Sequence, residues 1–224
     1  MMELFHVLNR GVDKRKIFLD NQDHFRFIHN LYEFNDEDRV EASSYYFNQS
    51  FDIGCRKIER RQRKLLVEVH AFCLMPNHYH LLLSSRVDSG IPKFMKKINM
   101  GYSKYFNLKN NRSGTLFEGK YKSIFIKEEA QFIHIPYYIH LNPLDLCLPE
   151  WRERKMTAST KAFNFLENYR WSSYLDYIGQ KNFPSVTSRE FLSNFCGGPK
   201  KYKLETFNWL KEMEFTEIKA FALE

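Results

Sequence analysis

Residues 65–84 read LLVEVHAFCLMPNHYHLLLS, which is two apolar runs separated by a Pro-Asn pair. The first run is rich in β-branched and apolar side chains, and the second begins directly after the turn. Two such runs on either side of a short turn predict a β-hairpin. Because successive side chains of a strand point to opposite faces, His78 and His80 are predicted to share one face and Tyr79 to be buried on the other.

The segments around this hairpin show the pattern of a mixed fold. Amphipathic stretches with helical spacing alternate with short apolar stretches, and turn residues separate them. This alternation predicts an α+β fold, with an antiparallel sheet and helices on one face. The predicted strands cover 4–9 and 115–126, and the predicted helices cover 20–34, 91–106 and 128–141, the last interrupted by Pro136.

The charge distribution suggests a polyanionic partner. The chain has 224 residues with 34 Lys and Arg against 27 Asp and Glu, a net charge of +7. Between positions 93 and 127, nine basic side chains accompany one acid, Glu118. A stretch whose charges are almost all positive is typical of a surface that binds phosphates, and the alternative is a solvated helix face. A second basic run, 56–64, falls within a polar stretch over 35–64 that is predicted to be an insertion.

Composition also argues against several other classes of protein. Hydrophobic residues make up 43% of the chain and charged residues 27%, which is typical of a globular protein and not of disorder. The four cysteines are widely spaced without a Cys-x-x-Cys, so neither a zinc ribbon nor a disulfide framework is expected. No secretory signal and no membrane-spanning apolar run are found, so we expect a cytoplasmic protein with no membrane partner.

The two histidines of the hairpin are candidate metal ligands. A His-x-His pair is weak evidence by itself, because the chain has eight histidines and such pairs arise by chance. The setting strengthens the interpretation, since two imidazoles on one face of an apolar strand are unfavourable to bury unless something binds them. His78 and His80 therefore suit a divalent metal, and the alternative is a pair of core histidines.

A second candidate pair follows about 60 residues later. Tyr138 and Asn142 are four residues apart, which places them on one face of a helix, while Tyr137 is rotated by about 100° and is predicted to pack in the core. Taken alone, Tyr138 is equally typical of a core aromatic, and Asn142 of a helix end before Pro143.

Two imidazoles and one amide oxygen leave coordination positions open, which suits Mg²⁺ or Mn²⁺ holding a phosphate. A tyrosine hydroxyl has a pKa of about 10 and is a poor nucleophile, so it needs a metal that polarises the phosphate, or a nearby base.

Four ordered motifs resemble those of the single-tyrosine HUH transposases, and most closely those of the REP-associated tyrosine transposases. The resemblance covers most of the chain and includes the opening Asn9-Arg-Gly11. The motifs are MPNHYHLL at 75–82, GTLFEGKYKS at 114–123, YIHLNP at 138–143 and WSSY at 171–174.

This resemblance implies a ferredoxin-like (RNA-recognition-motif-like) fold and a Mg²⁺- or Mn²⁺-dependent single-stranded DNA endonuclease and strand transferase. It implies that Tyr138 is the nucleophile, that a 5′-phosphotyrosine forms, and that a 3′ hydroxyl is released. The same resemblance makes His78, His80 and Asn142 the metal ligands. It also implies hairpin DNA with short flanking tetranucleotides as the substrate, in the cytoplasm or nucleoid of a bacterium.

The chain departs from the family pattern at several positions. Pro136 precedes Tyr138 by two residues and is expected to kink the helix or begin a new one. The sequence therefore does not determine the direction in which the Tyr138 hydroxyl points. His134 lies four residues before Tyr138 and is a candidate base or DNA contact, the alternative being a partly exposed histidine. Phe117 and Lys120 stand where the family commonly has Trp and Arg.

The predicted organisation is a catalytic domain over 1–180 followed by a helical extension over 181–224, and a homodimer is one possibility. Two alternatives stay open: a domesticated protein that binds hairpin DNA or RNA without cleavage, and a phosphodiesterase that uses a metal-bound water while Tyr138 is structural. The candidate DNA-binding residues are Arg10, Lys93, Lys96, Lys97, Lys104, Arg112, Lys120 and Lys122.

Overall fold

The computed structural model describes residues 3–38, 62–153 and 159–212. Over the first 126 positions, strands alternate with two long helices, much as the sequence predicts. The strands are β1 (Leu4–Arg10), β2 (Val67–Met75), β3 (His78–Ser85) and β4 (Lys122–Ile126), and the helices are α1 (Asn21–Glu33) and α2 (Gly90–Lys109).

The strands form one antiparallel sheet in the order β2-β3-β1-β4. Helix α1 connects β1 to β2, and α2 connects β3 to β4, so the chain order is β-α-β-β-α-β. This connectivity is that of the ferredoxin-like fold, and the predicted α+β class is confirmed. The hairpin is also confirmed, with Met75 paired to His78 across the turn.

The α1 and α2 layer covers one face of the sheet. Asp20 caps α1, because its carboxylate accepts a hydrogen bond from the Asp23 backbone N–H at 3.0 Å. Lys109, at the end of α2, joins the two helices by ion pairs of 2.7 Å to each of these carboxylates. The core on this face contains, among others, Val7, Phe27, Phe72, Tyr79, Leu81, Phe94, Ile98 and Tyr102.

A second group of helices covers the opposite face. Helix α3 (Glu129–Leu141) contacts β2 and β3 directly, and the remaining helices pack against it in the same core cluster. The sheet is thus enclosed on both sides, and the α1 and α2 layer is only one of the two. The remaining helices are α4 (Ser159–Asn168), α5 (Tyr174–Tyr177), α6 (Glu190–Phe195) and α7 (Pro199–Glu212).

Pro136 does not interrupt α3, which runs from Glu129 to Leu141 with the proline inside it. The prediction that a new helix begins at the proline is therefore wrong, while the kink stays a prediction. A proline removes one backbone hydrogen bond, but Ile135, Tyr138 and Ile139 are fully buried against the sheet and its neighbours. Tertiary packing offsets the local defect.

The last strand is shorter than predicted. Regular pairing begins only at Lys122, while Phe117 makes an isolated bridge to Gly11 and Gly119 has φ +154°. Most of the predicted insertion over 35–64, and the last twelve positions of the predicted extension, lie outside the described residues. No helix within the described ranges is long and apolar enough to cross a membrane.

Candidate active site

The hairpin presents its two histidines as predicted. His78 and His80 point to the face covered by α3, and their rings meet edge to face with centroids 4.9 Å apart. Tyr79 is buried on the other face, where its hydroxyl donates to Asn99 Oδ1 at 2.6 Å. Desolvation by burial raises the pKa of Tyr79 far above its usual value.

Hydrogen bonds orient both imidazoles through their Nδ1 atoms. The Nδ1 of His78 donates to the side-chain oxygen of Asn77 at 2.7 Å, because a carbonyl oxygen can only accept. The Nδ1 of His80 lies 2.9 Å from the Nε2 of His6 on β1. Each ring therefore has a partner at Nδ1, and a metal would bind at Nε2; a partner on the other ring nitrogen is what fixes the orientation of metal-ligating histidines.

His6 also contacts His80 and Tyr138, and no local sequence pattern indicates it. It is fully buried, and its ring lies edge to edge with that of His80, with centroids 5.2 Å apart and 18° between the planes. Its register partner is Leu82, so His6 and His80 are diagonal neighbours on one face. The signal that could have found it is the pairing of β1 with β3, combined with the alternation of side chains along β1.

Tyr138 lies over this histidine group. Helix α3 places its ring edge-on to His6, at 5.9 Å between centroids, and to His80, at 5.8 Å. Tyr137 points away and stacks on Tyr202 of α7 at 4.9 Å, so its predicted place in the core is confirmed. The side chain predicted to be the nucleophile and one predicted ligand are therefore in contact.

Asn142 ends α3 and is fully buried. Its Nδ2 donates to the Tyr138 carbonyl at 2.8 Å, which caps the last turn. Its Oδ1 accepts from Arg152 at 3.1 Å, and Arg152 is in turn held by Asp145 through bonds of 2.8 and 2.6 Å. Arg152 also lies 5.6 Å from the Tyr138 ring centre. The sequence carries no local signal for this arginine, because it follows α3 in an irregular segment of 3-10 turns.

These residues fit a divalent metal in part. Imidazole nitrogens and an amide oxygen are donor types that Mg²⁺ or Mn²⁺ accepts, and three of them leave coordination positions open. Within residues 3–38, 62–153 and 159–212, no cluster of three or more His, Cys, Asp or Glu side chains could hold a metal, so such a site depends on the amide oxygen. That oxygen would have to be shared with, or released by, Arg152.

A cationic cleft adjoins the histidines at the same end of the sheet. Arg10 pairs with His78, and Lys122 pairs with Leu8, which itself pairs with His80. The cleft has a volume of about 230 Å³, and positive side chains outnumber the single acid around it. Its lining residues are Leu8, Asn9, Arg10, Glu118, Gly119, Lys120 and Lys122.

The other predicted DNA-binding residues are not gathered with this cleft. Lys93, Lys96, Lys97 and Lys104 lie on α2, which packs on the face of the sheet opposite α3. The Lys97 ammonium donates to backbone carbonyls in the turn after α1, among them that of Asp38 at 2.9 Å. Lys93 and Arg112 also make local bonds, to Asp88 O at 3.0 Å and to Asn107 Oδ1 at 2.7 Å. The basic stretch of the sequence is therefore divided between two faces.

Phe117 and His134 both have structural contacts. Phe117 is buried edge-on to Tyr79 at 5.9 Å, where it fills the core. His134 accepts a hydrogen bond at Nδ1 from the Trp209 indole of α7 at 3.1 Å. That bond uses the lone pair which a base at Nδ1 would need.

A buried polar network joins α3 to α7 and to strand β2. His140 bonds through Nδ1 to the Tyr202 hydroxyl at 2.6 Å and through Nε2 to Ser173 Oγ at 2.7 Å. Ser173, in the WSSY motif, also accepts the Phe72 N–H of β2 at 2.9 Å. Burial lowers the pKa of His140 to about 3, so the ring is neutral and the network links α3, α7 and the sheet.

The ferredoxin-like sheet, the paired imidazoles and the tyrosine on the facing helix together have the layout of the HUH class that the motifs resemble. A comparison with protein families supports this interpretation: the family described as "Transposase IS200 like" matches residues 39–142. That segment is slightly less than half of the chain. The match supports a transposase-like function in DNA processing.

Among solved structures, the chain is similar to a REP-associated tyrosine transposase bound to a REP hairpin. The identity is 11%, the TM-score is 0.45, and the similarity covers 84% of this chain and 86% of the other. Because the identity and the TM-score are low, the fold is assigned from the strand order and the connectivity of the sheet. No curated protein sequence matches the chain.

Proposed function

We propose that the protein is a metal-dependent single-stranded DNA endonuclease and strand transferase that acts through a 5′-phosphotyrosine on Tyr138. One arrangement carries the proposal: Tyr138 contacts His80, whose neighbour His78 pairs with Arg10 beside the cationic cleft. The candidate nucleophile and the two candidate histidine ligands thus lie on one face of the sheet, beside a cleft lined by basic side chains. The motif resemblance points to hairpin DNA as the substrate.

The chemical step is a transesterification. The Tyr138 oxygen attacks phosphorus and forms a P–O bond to the protein, while the P–O3′ bond breaks. The phenolic proton passes to solvent or a base, the 3′ oxygen takes up a proton, and no atom changes oxidation state. When bound, Mg²⁺ or Mn²⁺ supplies charge that polarises the phosphoryl oxygens, and His78, His80 and Asn142 are the residues that would hold it. Because the ester is retained, the strand can be rejoined to another 3′ hydroxyl.

A covalent adduct tests the proposal. A single-stranded hairpin oligonucleotide labelled at its 3′ end is incubated with Mn²⁺ and run on a denaturing protein gel. We expect a labelled adduct with the wild-type protein and with Tyr137→Phe, and none with Tyr138→Phe or in EDTA. Tyr137 is a matched control, since it is the adjacent tyrosine and packs on Tyr202. An adduct of equal yield in Tyr138→Phe would exclude Tyr138 as the nucleophile.

One observation favours a second candidate, a protein that binds hairpin DNA or RNA without cutting it. The oxygen of Asn142 is engaged by Arg152, as it would be in a site that no longer binds a metal. Tight hairpin binding by the wild-type protein, with neither adduct nor cleavage in Mn²⁺, would support this alternative. Cleavage without an adduct would instead indicate a metal-bound water as nucleophile.

A further inference from the structure

His6 occupies the centre of the site without belonging to the predicted ligand set. Strand β1 lies between β3 and β4, and His6 on it is fully buried. Its Nε2 is 2.9 Å from the Nδ1 of His80, with the two rings edge to edge and nearly coplanar, and its ring is nearly perpendicular to that of Tyr138. His6 therefore touches both a proposed ligand and the proposed nucleophile.

The short contact between the two rings determines which nitrogen of His80 carries a proton. A neutral imidazole has one N–H donor and one acceptor nitrogen. If His80 donates from Nδ1 to His6, its Nε2 holds a lone pair and can bind a metal. If His6 donates instead, the proton of His80 is on Nε2 and that atom cannot bind a metal.

The neighbouring histidine indicates the direction. His78 donates from Nδ1 to Asn77, because the amide oxygen can only accept, and so its Nε2 holds a lone pair. Two imidazoles that bind one metal through equivalent atoms require the same tautomer. The same assignment for His80 makes His6 the acceptor.

We propose that His6 is a positioning residue that accepts the Nδ1–H of His80 and holds that ring in the tautomer whose Nε2 faces the metal site. The inference rests on the proposed function, since it assigns His6 a part in the same site. The two rings lie edge to edge with 18° between their planes, so the N–H of one ring points along the lone pair of the other. The edge contact with Tyr138 extends the positioning to the nucleophile.

His70 offers a matched control. It is also a fully buried histidine of the sheet, and its Nε2 bonds to Ser84 Oγ at 2.8 Å, away from Tyr138. Replacing it by Gln removes a buried imidazole of the same kind without touching His80. Any effect that His6 and His70 variants share is therefore an effect on folding.

The tautomer can be measured directly from ring ¹⁵N shifts of the metal-free protein above pH 7.5. We expect the His80 proton on Nδ1 in the wild-type protein, a shift towards Nε2–H in folded His6→Leu, and a return to Nδ1–H in His6→Gln, whose amide oxygen can accept. A wild-type His80 protonated on Nε2 overturns the proposal, and so does an unchanged tautomer in folded His6→Leu.

Mn²⁺ affinity measured by calorimetry gives a second readout. Loss of a partner that orients a ligand typically costs about 10- to 100-fold in metal affinity, so His6→Leu is expected to bind that much more weakly. His6→Gln should recover most of the loss, and His70→Gln should match the wild type; equal affinity in folded His6→Leu overturns the role. A wild-type protein that binds no Mn²⁺ would contradict the metal site of the proposed function, while the tautomer in metal-free protein still decides the role of His6.

Discussion

Arg152 donates to the side-chain oxygen of Asn142 over 3.1 Å, and its guanidinium carbon lies 5.6 Å from the centre of the Tyr138 ring. Asp145 holds this guanidinium in place with two bonds. The oxygen that is proposed to bind a metal therefore already accepts from a cation. A metal ion at the same oxygen would be repelled by this charge.

Removal of the charge at Arg152 is expected to strengthen metal binding. We predict that Arg152→Gln binds Mn²⁺ several-fold more tightly than the wild-type protein by calorimetry, and that the gain disappears in an Asn142→Ala background. Arg86→Gln is the control, because it makes the same charge change on Arg86, which pairs with Glu68 beyond the opposite end of β3. Weaker binding by Arg152→Gln would show that Arg152 supports the site instead of competing for it.

The part of the site on the hairpin could be predicted from sequence because it follows local rules. A period of two fixes the common face of His78 and His80 once the turn is recognised. Strand pairing was the missing information for His6, whose contact with His80 spans 74 positions. The local sequence of one strand does not indicate which residue of a distant strand it will pair with.

The errors have the same origin. Helical periodicity predicts that the lysines of α2 are solvated, but it does not indicate which face of the sheet α2 covers. The basic residues between 93 and 127 therefore appear in the sequence as one phosphate-binding surface, although they lie on two faces. The helix continues through Pro136 because α3 is packed against its neighbours, and the local cost of a proline does not report that packing. Arg152 reaches Asn142 only because two 3-10 turns fold back after the helix.

The division of basic residues leads to a prediction for DNA binding. Lys120→Gln and Lys122→Gln in the cleft are each expected to weaken hairpin binding several-fold and to lower the salt dependence by about 0.7 to 0.9 per lost phosphate contact. Lys96→Gln and Lys104→Gln remove equal charge from exposed positions on α2, and we expect little change. Fluorescence anisotropy titrations at several salt concentrations measure both quantities. Equal losses in the two pairs would indicate that DNA also covers α2.

Buried His140 predicts a dependence of stability on pH. The unfolded ring takes up a proton below about pH 6.5, whereas the folded ring, with its pKa lowered to about 3, does not. Between these values the unfolded state holds one more proton, so the free energy of unfolding falls with falling pH, by at most about 1.4 kcal/mol per unit.

Urea unfolding of wild-type protein and His140→Gln at pH 7, 6, 5 and 4 isolates this contribution. Glutamine can still donate and accept towards Tyr202 and Ser173, but it does not titrate. We expect the variant to be less stable at pH 7 and the difference to shrink as the pH falls. A difference that stays constant over this range would mean that the pKa of the folded ring is not lowered.

The bond between His134 and Trp209 predicts a structural role for His134. Its Nδ1 accepts the indole N–H at 3.1 Å, which joins α3 to α7. We expect His134→Gln and Trp209→Phe each to lower the free energy of unfolding by about 1 kcal/mol, with a non-additive double variant, because both remove the same bond. The rate of adduct formation by folded His134→Gln should stay within a few-fold of the wild-type rate. A general base contributes about 10²- to 10⁴-fold, so a loss of that size with unchanged stability would instead assign His134 to proton transfer from Tyr138.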